Sequence, residues 1–119
     1  MFDIDEGVHL FNDSDFFSAH DFFEDIWMEA ERDEKLFFQG MVQISVGCYH
    51  LICGNLKGAK SQFTKGLTKL EVYLPFYYKV NLNKLTKEIK FLLDNINKKE
   101  ITRQIPKIEL LTNKTLLGE

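Results

Sequence analysis

The sequence predicts an all-α protein, a single small helical bundle of about four helices in one domain, 1–119. Its core is expected over about residues 11–97, and its tail, 98–119, is expected to be partly extended. Two prolines and seven glycines interrupt 119 residues, too little punctuation for the many short turns of an all-β fold. Between these breaks the apolar residues recur at helical spacing in long blocks. The number of domains follows from size: at 45% hydrophobic and 13% aromatic content, a chain of this length fills one core and not two.

The first helix has a choice of N-caps in Asn12, Asp13 and Ser14, carries Asp15 at the positive end of its dipole, and runs to about Glu31. Turning about 100° per residue, Phe16, Glu24 and Trp27 fall close to His20, while Ser18, Asp21, Asp25 and Glu29 fall opposite. His20 and Glu24 are therefore expected on the inward stripe. A second helix is expected from about Glu34 to Cys53, closed by Gly54 in the left-handed conformation. Asn55 caps a third, about Leu56 to Leu74, whose stripe is Phe63, Leu67 and Leu70 and which Pro75 follows. The short Gly-Asn connection predicts antiparallel packing of these two. Phe76 to Val80 form an aromatic linker, and Asn81 caps a fourth helix that faces inward with Leu82, Leu85, Ile89, Leu92, Leu93 and Ile96. The tail shows no helical stripe through Pro106, so it is expected to be extended, packed near Ile105 to Ile108 and frayed afterwards. His9 falls in an N-terminal segment expected to be irregular and solvated.

The net charge of -3 conceals an asymmetry. Residues 1–34 hold 12 Asp and Glu against one Arg, and residues 35–119 hold 14 Lys and Arg against 6 acids. An acidic first helix can complement basic neighbours in the fold or in a homodimer. Nucleic acid is not expected as a partner, because Lys57, Lys60, Lys65, Lys69, Lys84, Lys87 and Lys90 are spread around helices without interleaved exposed aromatics. The run from Leu36 to Cys53 is about long enough to cross a bilayer. Gln39, Gln43 and His50 recur along it, however, so a helix central to a soluble bundle explains it better than a membrane span. Cys48 and Cys53 would point about 140° apart on one helix and cannot bridge, which predicts reduced, buried thiols. The acidic start lacks the features of a signal or transit peptide, so a cytoplasmic location is expected.

Gln39, Gln43 and His50 make a second polar line on the second helix, with Val46 among them. Gly40 and Gly47 lie beside it and predict a close helix approach, with the first helix expected there. If the two polar lines face each other, His20, Glu24, Gln39, Gln43 and His50 form one buried, mutually hydrogen-bonded network, with Trp27 one turn beyond Glu24. The same residues allow a sharper reading. His20 and Glu24 at i, i+4 project the same way, and His50 could supply a third ligand to a divalent metal. Acid and base catalysis by Glu24 with His20 or His50 is a related reading. No Gly-rich phosphate loop, nucleophile elbow or Cys-x-x-Cys pair is present. Phe22 projects from the acidic side of the first helix and suggests a dimer or partner contact.

The run "FNDSDFFSAHDFFEDIW", followed by "LFFQGMVQISVGCYHLICGNLKGA" and the later "QIPKI", resembles the family called domain of unknown function 309, found in bacteria, archaea and plastids. The likeness extends from about Phe11 to Leu74, and loosely beyond. The family pattern is matched by Phe11, Asn12, Ala19, His20, Glu24, Trp27, Gln39, Gly40, Gln43, His50, Gly54, Asn55, Gly58 and Ala59. Asp21 stands where the family tends to have Glu, and Ser18 where an acid is usual. The resemblance implies a small helical bundle and points to these site residues, without assigning a function. The Lys, Asn, Ile and Phe content implies AT-rich codons, compatible with a plastid or a low-GC bacterium, so the expected location is the cytoplasm, or the plastid stroma if the chain is plastid-encoded. The function expected is an interaction or binding module with a protein partner or homodimer. The alternative is a metal-dependent or acid-base hydrolase using His20, Glu24 and His50.

Overall fold

The computed structural model describes residues 1–112. Five α-helices lie among them: α1 (Asp5–Asn12), α2 (Phe16–Glu29), α3 (Arg32–Ile52), α4 (Leu56–Leu70) and α5 (Leu82–Asp94). A 3-10 turn, Glu71–Tyr73, and a hairpin of β1 (Phe76–Tyr77) with β2 (Val80–Asn81) separate α4 from α5, and a second 3-10 turn covers Ile101–Gln104. The all-α bundle is thus the observed architecture. Among the described residues no helix is long and apolar enough to cross a membrane.

Capping chemistry sets most of the boundaries. Asp15 accepts from the Ser18 N–H at 3.3 Å, Asn55 from Gly58 at 3.0 Å and Asn81 from Lys84 at 3.1 Å. Each side-chain oxygen satisfies a donor that the first helical turn would otherwise leave free. The cap of α2 is Asp15 itself, one residue beyond the three caps offered by the sequence. Gly54 takes φ +80°, the left-handed close expected after α3.

Glycine shapes the packing of α3 on α4. A methyl group on Gly40 would come within 2.8 Å of Leu70, and one on Gly47 within 2.5 Å of Phe63. Residue 40 therefore lies beside residue 70, and residue 47 beside residue 63, which is an antiparallel pair. Gly66 answers from α4, facing Ile44 and the Gly40 carbonyl. The close approach belongs to α4, which corrects the expectation that the first long helix occupies it. The cause is rotational phase: both glycines share the buried face of α3 with Met41, Ile44 and Cys48.

Four further expectations are corrected. The N-terminal segment is the helix α1 rather than irregular chain, burying Gly7, Val8 and Phe11, while His9 remains exposed and lies 3.1 Å from Asp13. Its eight residues are too short for a persuasive stripe, and packing against α2 stabilises it. Phe22 is accounted for by that packing, since its ring lies over Gly7 and edge-on to Phe23. The aromatic linker is a hairpin whose two turn residues, Tyr78 and Lys79, have φ of 51° and 63°, the sense that matches strand twist. Cys48 is buried, and burial pushes its thiol pKa up, whereas Cys53 is exposed; both are free.

The tail is extended after its 3-10 turn, with Pro106 and Ile108 buried. Val80 bridges antiparallel to Leu110. The fraying expected farther along lies mostly outside the described residues. Asn12 holds the tail with its side-chain amide, donating to the Ile108 carbonyl at 2.9 Å and accepting from the Ile108 N–H at 2.7 Å.

Candidate functional site

The inward face of α2 is Phe16, Ala19, Phe23 and Ile26, continued by Ala30. This wholly apolar phase competes with the one containing His20 and Glu24, and it wins because burying a carboxylate costs far more than burying alanine and phenylalanine. His20, Glu24 and Trp27 are turned aside to the margin of α2. The His20 side chain is 22% exposed and that of Glu24 48%. The buried network expected from the sequence is corrected accordingly: these polar residues line a groove open to solvent.

The groove runs along α3. α2 and α4 both pack on α3 and scarcely touch each other. Between them α3 leaves Gln39, Val42, Gln43, Val46 and His50 half-buried. Two cavities follow one another there. One, about 200 Å³, is lined by Phe16, Phe17, His20, Val46, Tyr49 and His50. The other, about 240 Å³, is lined by Glu24, Trp27, Gln39, Val42, Gln43 and Gln62. All six residues singled out from the sequence, His20, Glu24, Trp27, Gln39, Gln43 and His50, are in one of these two linings.

Their polar atoms form separate pairs rather than one network. His20 Nε2 lies 3.4 Å from Glu24 Oε2, and its Nδ1 lies 3.0 Å from the Phe17 carbonyl and 3.3 Å from Asp21 Oδ1. Gln43 accepts from Lys69 Nζ at 2.9 Å, reaching α4. His50 Nδ1 lies 3.3 Å from Asn55 Nδ2. Trp27 is fixed from the side, because Lys35 donates to its carbonyl at 2.7 Å and stands 5.2 Å from its ring centre. Among the described residues no buried side-chain nitrogen or oxygen lacks a partner. No group of three His, Cys, Asp or Glu is arranged there to hold a metal ion. His20 with Glu24 supplies two donors; His50 shares the cavity but is turned to Asn55.

Two groove residues escape the sequence reading. Phe17 is 55% exposed and Tyr49 39%, and their rings meet at 5.8 Å across the α2–α3 seam. Phe17 also meets the His20 ring at 5.4 Å. The available signal was the alternative phase of α2: once Phe16, Ala19 and Phe23 are inward, Phe17 has to face out.

Fold and groove together define a small helical-bundle protein with a mixed polar and aromatic cleft along its central helix. Residues 4–62 match the model of the family described as domain of unknown function (DUF309), and the chain belongs to this family over that segment. The matched segment contains α1, α2, α3 and the start of α4, and hence all six predicted site residues. No curated protein matches the chain significantly.

Proposed function

We propose that the chain is an interaction module whose groove between α2, α3 and α4 receives an amphipathic helix of a partner protein. The observation behind this reading is the half-buried stripe of α3. Three helices with α3 in the middle fill three places of a four-helix arrangement, and the fourth place lies over Gln39, Val42, Gln43 and Val46. A helix laid there would put apolar anchors at successive turns into the two cavities, the usual economy of helix-in-groove recognition. Charge narrows the partner. Asp21 and Glu24 stand at the α2 margin, and residues 1–34 carry 12 acids against one Arg, so the incoming helix has a Lys- or Arg-rich flank.

Trp27 makes this measurable, since it is the sole tryptophan and lines a cavity. Titration with a synthetic helix bearing a leucine stripe flanked by lysines is expected to shift its fluorescence saturably. Val46→Arg, at a half-buried position, should abolish that shift while the melting temperature is kept. A flat titration with the wild type, or full binding by Val46→Arg, removes the reading.

A second reading rests on His20 and His50 lining one cavity, with Glu24 beside His20. It makes the cavity a hydrolytic site, working by acid and base catalysis or through a divalent metal at His20, Glu24 and His50. The metal form requires His50 to leave Asn55. Elemental analysis and metal-dependent melting of the wild type, His20→Ala, Glu24→Ala and His50→Ala test it. A stoichiometric metal that raises only the wild-type melting temperature supports the metal form, whereas no bound metal and no shift remove it.

A further inference from the structure

The lysines of the second half lack an interleaved exposed aromatic in the sequence pattern, but the fold of α5 supplies one. Phe91 is 51% exposed. It lies opposite the buried face of α5, which is Leu82, Leu85, Thr86, Ile89 and Leu92. Lys87, one turn before it, is exposed too. Past the end of the helix the chain turns through Glu100, at φ 60°, into the 3-10 turn Ile101–Gln104. The result is a cavity of about 420 Å³ lined by Phe91, Asn95, Lys98, Lys99, Arg103 and Gln104.

We infer that this cavity at the end of α5 binds single-stranded nucleic acid, with Phe91 stacking on a base and Lys98, Lys99 and Arg103 holding the flanking phosphates. An aromatic face beside a cationic track is the arrangement by which single strands are held with little sequence preference. Glu100 is the one acid in the lining, and Arg103 stands 3.3 Å from it. Neither Lys98 nor Lys99 makes an ion pair among the described residues. Gln104 is exposed and offers an amide able to meet a base edge. A lipid surface fits less well. The apolar face of α5 is spent in the core, leaving a single exposed ring and a concave site instead of an amphipathic face to lay on a bilayer. The lysines of α4 do not form a second such site, because the one aromatic on that helix, Phe63, is buried.

The test is fluorescence anisotropy of a short labelled single-stranded oligonucleotide of mixed sequence with the full chain, across a salt series. Three phosphate contacts predict a slope of log affinity against log salt of about −2. Phe91→Ala should weaken binding by on the order of ten-fold with the slope kept, and Phe91→Tyr should restore it. Lys98→Ala with Lys99→Ala should make the slope shallower, and Lys57→Ala with Lys60→Ala on α4 should change neither quantity. Melting temperatures verify that each variant is folded. Absence of binding at low salt overturns the inference. So does binding indifferent to Phe91→Ala, which marks unspecific charge attraction, and so does tighter association with anionic phospholipid vesicles than with the oligonucleotide.

Discussion

At the scale of single residues, the structure separates positions that carry stability from those that face the groove. His20 and Glu24 form a partly exposed pair 3.4 Å apart, and such pairs contribute about 0–1 kcal/mol. Phe23, fully buried three residues after His20, contributes about 3–5 kcal/mol by the usual cost of emptying an aromatic site. His20→Ala is accordingly expected to unfold at nearly the wild-type denaturant midpoint, and Phe23→Ala at a much lower one. Equal losses in the two variants would restore His20 to the core. Tyr78 gives the molecule an alkaline limit. Its phenol is pushed up to about 12 by burial first, and next by donating its hydrogen bond to Glu34. An unfolded tyrosine titrates near about 10. The fold therefore binds the extra proton between about pH 10 and 12, so this contribution is complete below pH 10 and is lost as pH climbs through 12. Tyr73 and Tyr77 are raised in the same direction, chiefly by burial. Tyr78→Phe should flatten the decline of melting temperature across that window, and a decline as steep as that of the wild type would deny Tyr78 its part.

At the scale of elements, the close seam of α3 on α4 is made by glycines. Gly47→Ala would drive a methyl group into the Phe63 ring, at a site where Gly47 is buried and Phe63 fully so. Overpacking of this kind costs about 1–3 kcal/mol, more than the helix propensity regained by replacing a mid-helix glycine. Chemical denaturation should show the loss, and pairing with Phe63→Leu should recover part of it. A neutral or stabilising Gly47→Ala would mean that α4 can step back from α3. The same seam explains the groove. Glycines let α4 settle low on one side of α3, α2 packs on another, and the α3 surface between them stays open.

At the scale of the whole molecule, Asn12 joins the beginning of the chain to its end. Its side chain makes both of its hydrogen bonds to Ile108, and the carbonyl of Asn12 accepts from Lys107 at 2.6 Å. Residue 12 lies inside the family match and residue 108 beyond it, so the family segment is closed by a piece of chain outside it. Asn12→Ala removes two partly buried bonds at a cost of about 1–3 kcal/mol. Amide hydrogen exchange should then speed up at Ile108 and its neighbours, with the protection of α3 and α4 kept. Loss of protection throughout would mean instead that the tail belongs to one cooperative unit with the helices.

Much of this was legible in the amino-acid order. The turn at Gly54, the caps Asn55 and Asn81 and the length of α3 follow from local backbone chemistry, which neighbouring residues alone determine. Helical spacing puts each set of site residues on one side of its helix, so the six line two successive cavities of one groove, but as separate pairs and not as the single buried network expected. Rotational phase was not legible where an apolar stripe ran beside a polar one: Phe16 serves both phases of α2, and only the choice of neighbour decides between His20 and Ala19. The helix α1 and the hairpin were hidden for a related reason, being too short to carry a pattern and held by partners distant in sequence. By itself, then, the sequence determined the four longer helices, the turn at Gly54 and the caps Asn55 and Asn81. Tertiary packing decided which way each helix turned, and with it that the His20–Glu24 pair and His50 line an open groove instead of joining in a core, because a face is buried only relative to what packs against it.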